Sequence, residues 1–192
     1  IRTSGAEGLT LSSTSLTVAD GLTLTDGNVT LADGHGIDFA SSSNAGGMAS
    51  ELFDDYEEGT FTPAFGGSGG NQTVSYSTQI GTYVLVGKMV QITVSVIASG
   101  TPSGGSGDLN ITGLPFTSKS GVQQAGSVAF TNNLGSTSGT TQLSCNIEGG
   151  VTYLNVNEHE YSGASSMGRS SASAITANSA PRIVCSICYE VA

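Results

Sequence analysis

Residues 9–39 repeat a short hydrophobic pattern. Apolar residues paired across one intervening residue recur as Leu9/Leu11, Leu16/Val18, Leu22/Leu24, Val29/Leu31 and Ile37/Phe39, starting 7, 6, 7 and 8 residues apart. Residues i and i+2 of an extended chain share a face, so each pair predicts a short strand with one apolar side. Asp20-Gly21, Asp26-Gly27 and Asp33-Gly34 fall between pairs and predict turns, because Gly accepts positive φ and Asp hydrogen-bonds its own backbone. Ten apolar side chains give a single chain too little burial to offset the entropy of ordering the 31 residues that carry them. The repeat therefore predicts a closed assembly in which several copies turn these side chains toward a common axis. Leu16, Val18, Leu22, Leu24, Val29, Leu31, Ile37 and Phe39 would form its core. Three copies make a triangular, β-prism or β-helix-like stalk for strands this short; geometry and analogy supply the number, not the repeat. A single-chain β-solenoid is the alternative, although five irregular rungs are few for one that stands alone.

The pattern changes after about Thr60. TYVLVG and KMVQITVSVIA flank a Gly87-Lys88 turn, and in the second Val90, Ile92, Val94 and Val96 alternate with Gln91, Thr93 and Ser95. Strict alternation predicts a half-buried antiparallel strand. Further strands are predicted at 60–65, 73–78, 108–113, 121–131, 140–147, 151–156, 171–177 and 181–191. That many short strands between Gly/Ser/Asn turns predict an antiparallel β-sandwich of jelly-roll type. The organisation expected is all-β: a repetitive β-stalk at 1–45, an acidic joint at 46–59 and a sandwich head at 60–192.

Composition agrees with an all-β chain. Of 192 residues 28 are Gly and 10% are charged, and none is Trp. The net charge of −10 is unevenly placed: residues 1–58 carry −9 and residues 59–192 carry −1. An acidic stalk on a nearly neutral head argues against nucleic-acid partners and anionic membrane surfaces. No apolar run approaches the length of a membrane span, so no membrane insertion is expected and the chain should be soluble. It starts at Ile1 without a leader, which reads as a piece of something longer. Cys145, Cys185 and Cys188 are an odd count, and the CxxC spacing falls in an apparent strand where residues three apart point to opposite faces. They read as small core residues, with no cofactor expected.

SSSNAGGMAS (41–50) loses the period, and ELFDDYEEGTFTPAF follows with five carboxylates around Leu52, Phe53 and Tyr56. Asp54, Asp55, Glu57 and Glu58 form a candidate cation collar, since hard oxygen ligands gather around Ca²⁺; a solvated acidic collar is the alternative. The order of parts, "NVTLADGHGIDFASSS", "ELFDDYEEGTFTPAF", "YSTQIGTYVLVGKMVQITVSV" and "ITGLPF", resembles the distal region of phage tail fibres, especially those of marine and cyanobacterial phages. The likeness covers roughly residues 20–116, with Phe61 standing where such sequences would carry Trp. It implies a homotrimeric virion component, assembled in the bacterial host cytoplasm and extracellular after release. Such a component would meet other virion proteins through a preceding N-terminal part and a host-surface receptor through its head.

Loops carry recognition on such scaffolds. GGSGGNQ (66–72), SGTPSGGSGD (99–108), TNNLGSTSG (131–139) and NEHEYSGASSMGRSS (157–171) are the candidates. The last is richest: Glu158, His159, Glu160, Tyr161 and Arg169 combine charged acceptors and donors with an aromatic ring, which suits a polar glycan. His35, between two Gly, reads as a turn apex; on a threefold axis it would be a transition-metal candidate. Glycoside hydrolysis needs paired carboxylates, no pairing is readable in the head, and no GxSxG, HExxH or P-loop motif occurs. The expectation is a non-catalytic attachment protein, with a purely structural fibre, a glycan-hydrolysing spike or a secreted bacterial adhesin as alternatives.

Overall fold

Val90, Ile92, Val94 and Val96, the alternating residues of 89–98, have no solvent exposure and belong to one hydrophobic core. The structure is a computed structural model, and it describes residues 18, 20–38, 52–53, 55–134, 140–160, 167–177 and 179–192. The strands are β1 (Ile37–Asp38), β2 (Leu52–Phe53), β3 (Tyr56–Phe61), β4 (Ala64–Gly67), β5 (Gly70–Thr73), β6 (Tyr76–Val86) and β7 (Met89–Ala98). They continue as β8 (Ser103–Ser106), β9 (Leu109–Thr112), β10 (Gln124–Asn132), β11 (Thr140–Ile147), β12 (Tyr153–Glu160), β13 (Met167–Arg169) and β14 (Arg182–Glu190). The chain divides into two units, Ile1–Asp33 and Gly34–Ala192.

In the first unit, residues 20–33 form no strand, and Leu22, Leu24, Val29 and Leu31 are exposed. The expected rungs are not paired there, because a strand needs a neighbour and the described residues of this stretch supply none. The turns are as the Asp-Gly steps predict. Gly21, Gly27 and Gly34 all have positive φ, at 121°, 108° and 74°, where a side chain would be strained. Leu16 and Phe39 lie outside the described residues.

The second unit is all-β. Ten strands form one antiparallel sheet in the order β3-β6-β7-β14-β10-β11-β12-β9-β4, with β13 added beside β12. Its two edge strands, β3 and β4, are consecutive in the chain and joined only by Thr62 and Pro63. A sheet whose opposite edges are joined by two residues must curl until those edges meet. The inside of the curl is the core: Leu109, Ile111, Ile147, Leu154, Val156, Ile183 and Tyr189 are fully buried beside the β7 valines. The Tyr189 hydroxyl donates to the Phe116 carbonyl at 2.9 Å, which satisfies its one polar atom. Gly126 on β10 leaves the room its neighbours need: a Cβ there would stand 2.7 Å from Cys145 Sγ and 2.6 Å from the Ser186 carbonyl.

Several sequence expectations are corrected. The strand expected at 60–65 breaks at Thr62–Pro63, where Pro offers no N–H to a ladder. The one at 73–78 breaks between Thr73 and Tyr76. Residues 171–177 contain a 3₁₀ turn, Ala172–Ile175, capped by Ser171, whose side chain accepts from Ser173 N. Ala172, Ala174 and Ile175 are buried from that turn, so their near-alternation was not a strand signal. The Gly-rich stretches 66–72 and 99–108 are not plain loops, because β5 pairs with β8 in a two-stranded sheet of their own. Cys145 and Cys185 are in the core, but Cys188 is exposed on the opposite face of β14. Among the described residues no helix is long and apolar enough to cross a membrane.

Candidate functional site

The outer face of β11, β12 and β13 is polar for the same reason that its inner face is apolar. In β11, Cys145 and Ile147 point inward, so Ser144 and Asn146 point outward; in β12, Leu154 and Val156 point inward, so Asn155, Asn157 and His159 point outward. The register sets Arg169 opposite Asn157, Asn157 opposite Ser144, and Asn155 opposite Asn146. The result is a cleft of about 440 Å³ lined by Gln123, Gln124, Ser144, Asn146, Asn157 and Arg169 among others.

Its side chains hold one another in place. Asn146 Oδ1 accepts from Arg169 Nη1 at 2.9 Å and from Asn157 Nδ2 at 3.0 Å. Arg169 Nη2 pairs with Glu148 Oε1. Ser144 Oγ and His159 Nε2 are 3.0 Å apart. Two amide atoms on or near the cleft are buried without a partner among the described residues: Gln124 Oε1 in its lining, and Nδ2 of Asn155, which is 5% exposed and sits beside Asn146. Buried polar atoms are nearly always satisfied, and an orphan costs about 1–3 kcal/mol. Amides, a hydroxyl and a guanidinium in one cleft recognise groups that both donate and accept hydrogen bonds.

Of the five residues singled out at 157–171, the structure describes the side chains of Glu158, His159 and Arg169 and does not bring all three to one surface. Arg169 lines the cleft and His159 lies at its side through Ser144. Glu158 is a correction: it shares the inward face of β12 with Leu154 and Val156, is 5% exposed, and accepts from Ser170 Oγ at 2.5 Å. Adjacent strand residues point oppositely, so Glu158 and His159 cannot serve one exterior surface. The Glu160 side chain and Tyr161 lie outside the described residues. The stretch itself is no continuous loop, since Asn157–Glu160 ends β12 and Met167–Arg169 is β13. Sequence reasoning missed Ser144, Asn146 and Asn157; their alternation with Cys145, Ile147 and Val156 was the signal.

At the joint, Glu57 and Glu58 are neighbours on β3 and are turned to opposite faces. Glu58 accepts from the Tyr56 hydroxyl at 3.0 Å and Glu57 from the Tyr83 hydroxyl. These hydrogen bonds hold both phenols above their ordinary value. Within one chain these two carboxylates cannot share an ion; Asp54 lies outside the described residues. Among the described residues no three His, Cys, Asp or Glu side chains gather as a metal site would require. His35 is exposed just after the Asp33–Gly34 turn.

No protein-family model matches the chain, and no curated protein matches it. Among solved structures it is similar to the Dettilon tailspike protein (gp208), with 22% sequence identity and a TM-score of 0.53. The match covers 69% of this chain and 23% of that one. At this identity the likeness is one of fold.

Proposed function

We propose that the chain is the distal part of a phage tail fibre or tailspike, of the marine or cyanobacterial type, and that its head attaches without catalysis to a glycan on the host-cell surface. The observation that carries this reading is the Arg169 cleft. Its amides, hydroxyl and charge-compensated guanidinium match the donor-and-acceptor hydroxyls of a sugar, and its lining contains no carboxylate among the described residues. Hydrolysis of a glycosidic bond ordinarily uses two facing carboxylates; Glu148 is ion-paired to Arg169 and Glu158 is turned inward. The fold likeness to a tailspike and the joint and strand motifs at residues 51–98 support the virion setting. The exposed apolar pairs of residues 20–33 support a homotrimer whose stalk closes around them, and other virion proteins would meet the part preceding this chain.

The test is binding of the whole chain to a panel of intact bacteria, with phage adsorption as competitor. Strain-selective binding that blocks adsorption, and that Arg169→Ala reduces at least about tenfold with only a small change in melting temperature, is the expected result; the half-exposed ion pair contributes about 1 kcal/mol to stability. Binding to no strain, or release of oligosaccharides from the envelope, would overturn the reading in favour of a structural fibre or a hydrolase.

A further inference from the structure

The row that contains Arg169, Asn157 and Ser144 does not stop at the cleft. Register partners carry it on through Ser127, Ser186, Thr93 and Thr82 to Thr60, one residue per strand from β10 to β3. Every member between the cleft and the sheet edge bears a hydroxyl, and none is charged. At about 4.8 Å per strand the seven steps from Arg169 to Thr60 make a track on the order of 30 Å along the outside of the curl. Thr60, Thr82, Thr93 and Ser127 are exposed, Ser186 and Ser144 half-buried, and Asn157 is buried at the cleft.

The track has apolar borders. Val84 and Ile80 flank Thr82 on the same face of β6 and are 39% and 56% exposed. Phe130, brought to this face by the irregularity in β10 between Val128 and Phe130, is 49% exposed, with Arg182 stacked on its ring at 4.8 Å. A hydroxyl lane between apolar borders suits a molecule with hydroxylated edges and C–H faces. The orphaned Gln124 Oε1 lies in the cleft lining, where the buried part of such a molecule would satisfy it.

We infer that the head binds a long, uncharged polysaccharide laid across the strands, with one unit in the Arg169 cleft and the following units along the Ser127–Thr60 track. This rests on the attachment reading above and specifies its ligand as a linear neutral polymer. Arg169 adds no net demand for an anion, since Glu148 compensates it.

The probes are the surface polysaccharide extracted from the strain that the whole chain binds best, and size-fractionated fragments of it from partial acid hydrolysis. The variant is Thr82→Val with Thr93→Val, which removes two hydroxyls at exposed positions with residues that favour strands. Wild type should bind the long polymer at least about tenfold more tightly than the shortest binding fragment, with little response to salt. The double variant should lose most of that advantage while binding the shortest fragment unchanged. Avidity for a repetitive polymer would survive the substitutions, so it cannot mimic this result. Equal loss in variant and wild type on shortening overturns the track but leaves the cleft. A change in solution mass of the variant overturns it too, making the row a contact between copies. No binding of either probe overturns the attachment reading itself.

Discussion

Residues 20–33 and strand β7 use the same two-residue alternation and reach opposite ends. Leu22 and Val29 keep 66% and 62% of their surface in water, while Val90, Ile92, Val94 and Val96 keep none. The difference is in what stands opposite. For β7 the same chain supplies β6 and β14 on either side and the far wall of the curl across the core. For residues 20–33 it supplies no strand partner among the described residues. An alternating pattern is thus a demand for a partner, and its source, inside the chain or outside, is decided by how many strands follow.

The largest expected effect breaks the stalk side of this contrast. Leu24→Asp with Leu31→Asp should reduce the full chain from the proposed homotrimer to single chains by light scattering, while the head keeps its melting transition; a mass that does not change would overturn the stalk contact. On the head side, Ile92→Ala should cost about 2–5 kcal/mol in denaturant unfolding and leave the assembly intact in native buffer. Ser170→Ala removes one donor to buried Glu158 and should cost about 1–3 kcal/mol, the worth of a hydrogen bond to a charged group. The smallest effect is titratable. Burial raises the Tyr189 phenol from 10.0 to about 12. A group raised on folding stabilises fully below its unfolded value, so this contribution is whole below about pH 10 and is lost as pH rises through about 12. Tyr189→Phe should cost about 1 kcal/mol at neutral pH through the lost bond to Phe116 and should flatten the alkaline fall of head stability.

The strands that announced themselves are those that bury one face against a core and show the other to water. β7 reads directly from its alternation and β14 as an apparent strand, and Arg169 stands out with Glu158, His159, Glu160 and Tyr161 as the charged and aromatic residues of one stretch. β5 and β8 did not, because Gly70–Thr73 and Ser103–Ser106 carry no apolar side chain and so leave no hydrophobic period. The pairing of β14 between β7 and β10 joins residues far apart in the chain, which no local pattern encodes. The cleft was half legible. Its polar residues are the outward half of ordinary strands, and only the register reveals that Arg169, Asn157 and Ser144 stand in line. Glu158 was misplaced because its facing depends on strand phase, which a loop assignment ignores.

The position of β14 also governs the order of events during synthesis. It is made after all the other described strands, yet it lies between β7 and β10 and joins the two halves of the sheet. Until residues 182–190 leave the ribosome, the β3-β6-β7 ladder and the β10-to-β4 ladder are not hydrogen-bonded across the place of β14, and each has an open edge there. A chain stopped short of that point cannot pass for a finished head, and its bare edges mark it for chaperones and proteases. Completion of the sheet therefore waits on residues 182–190.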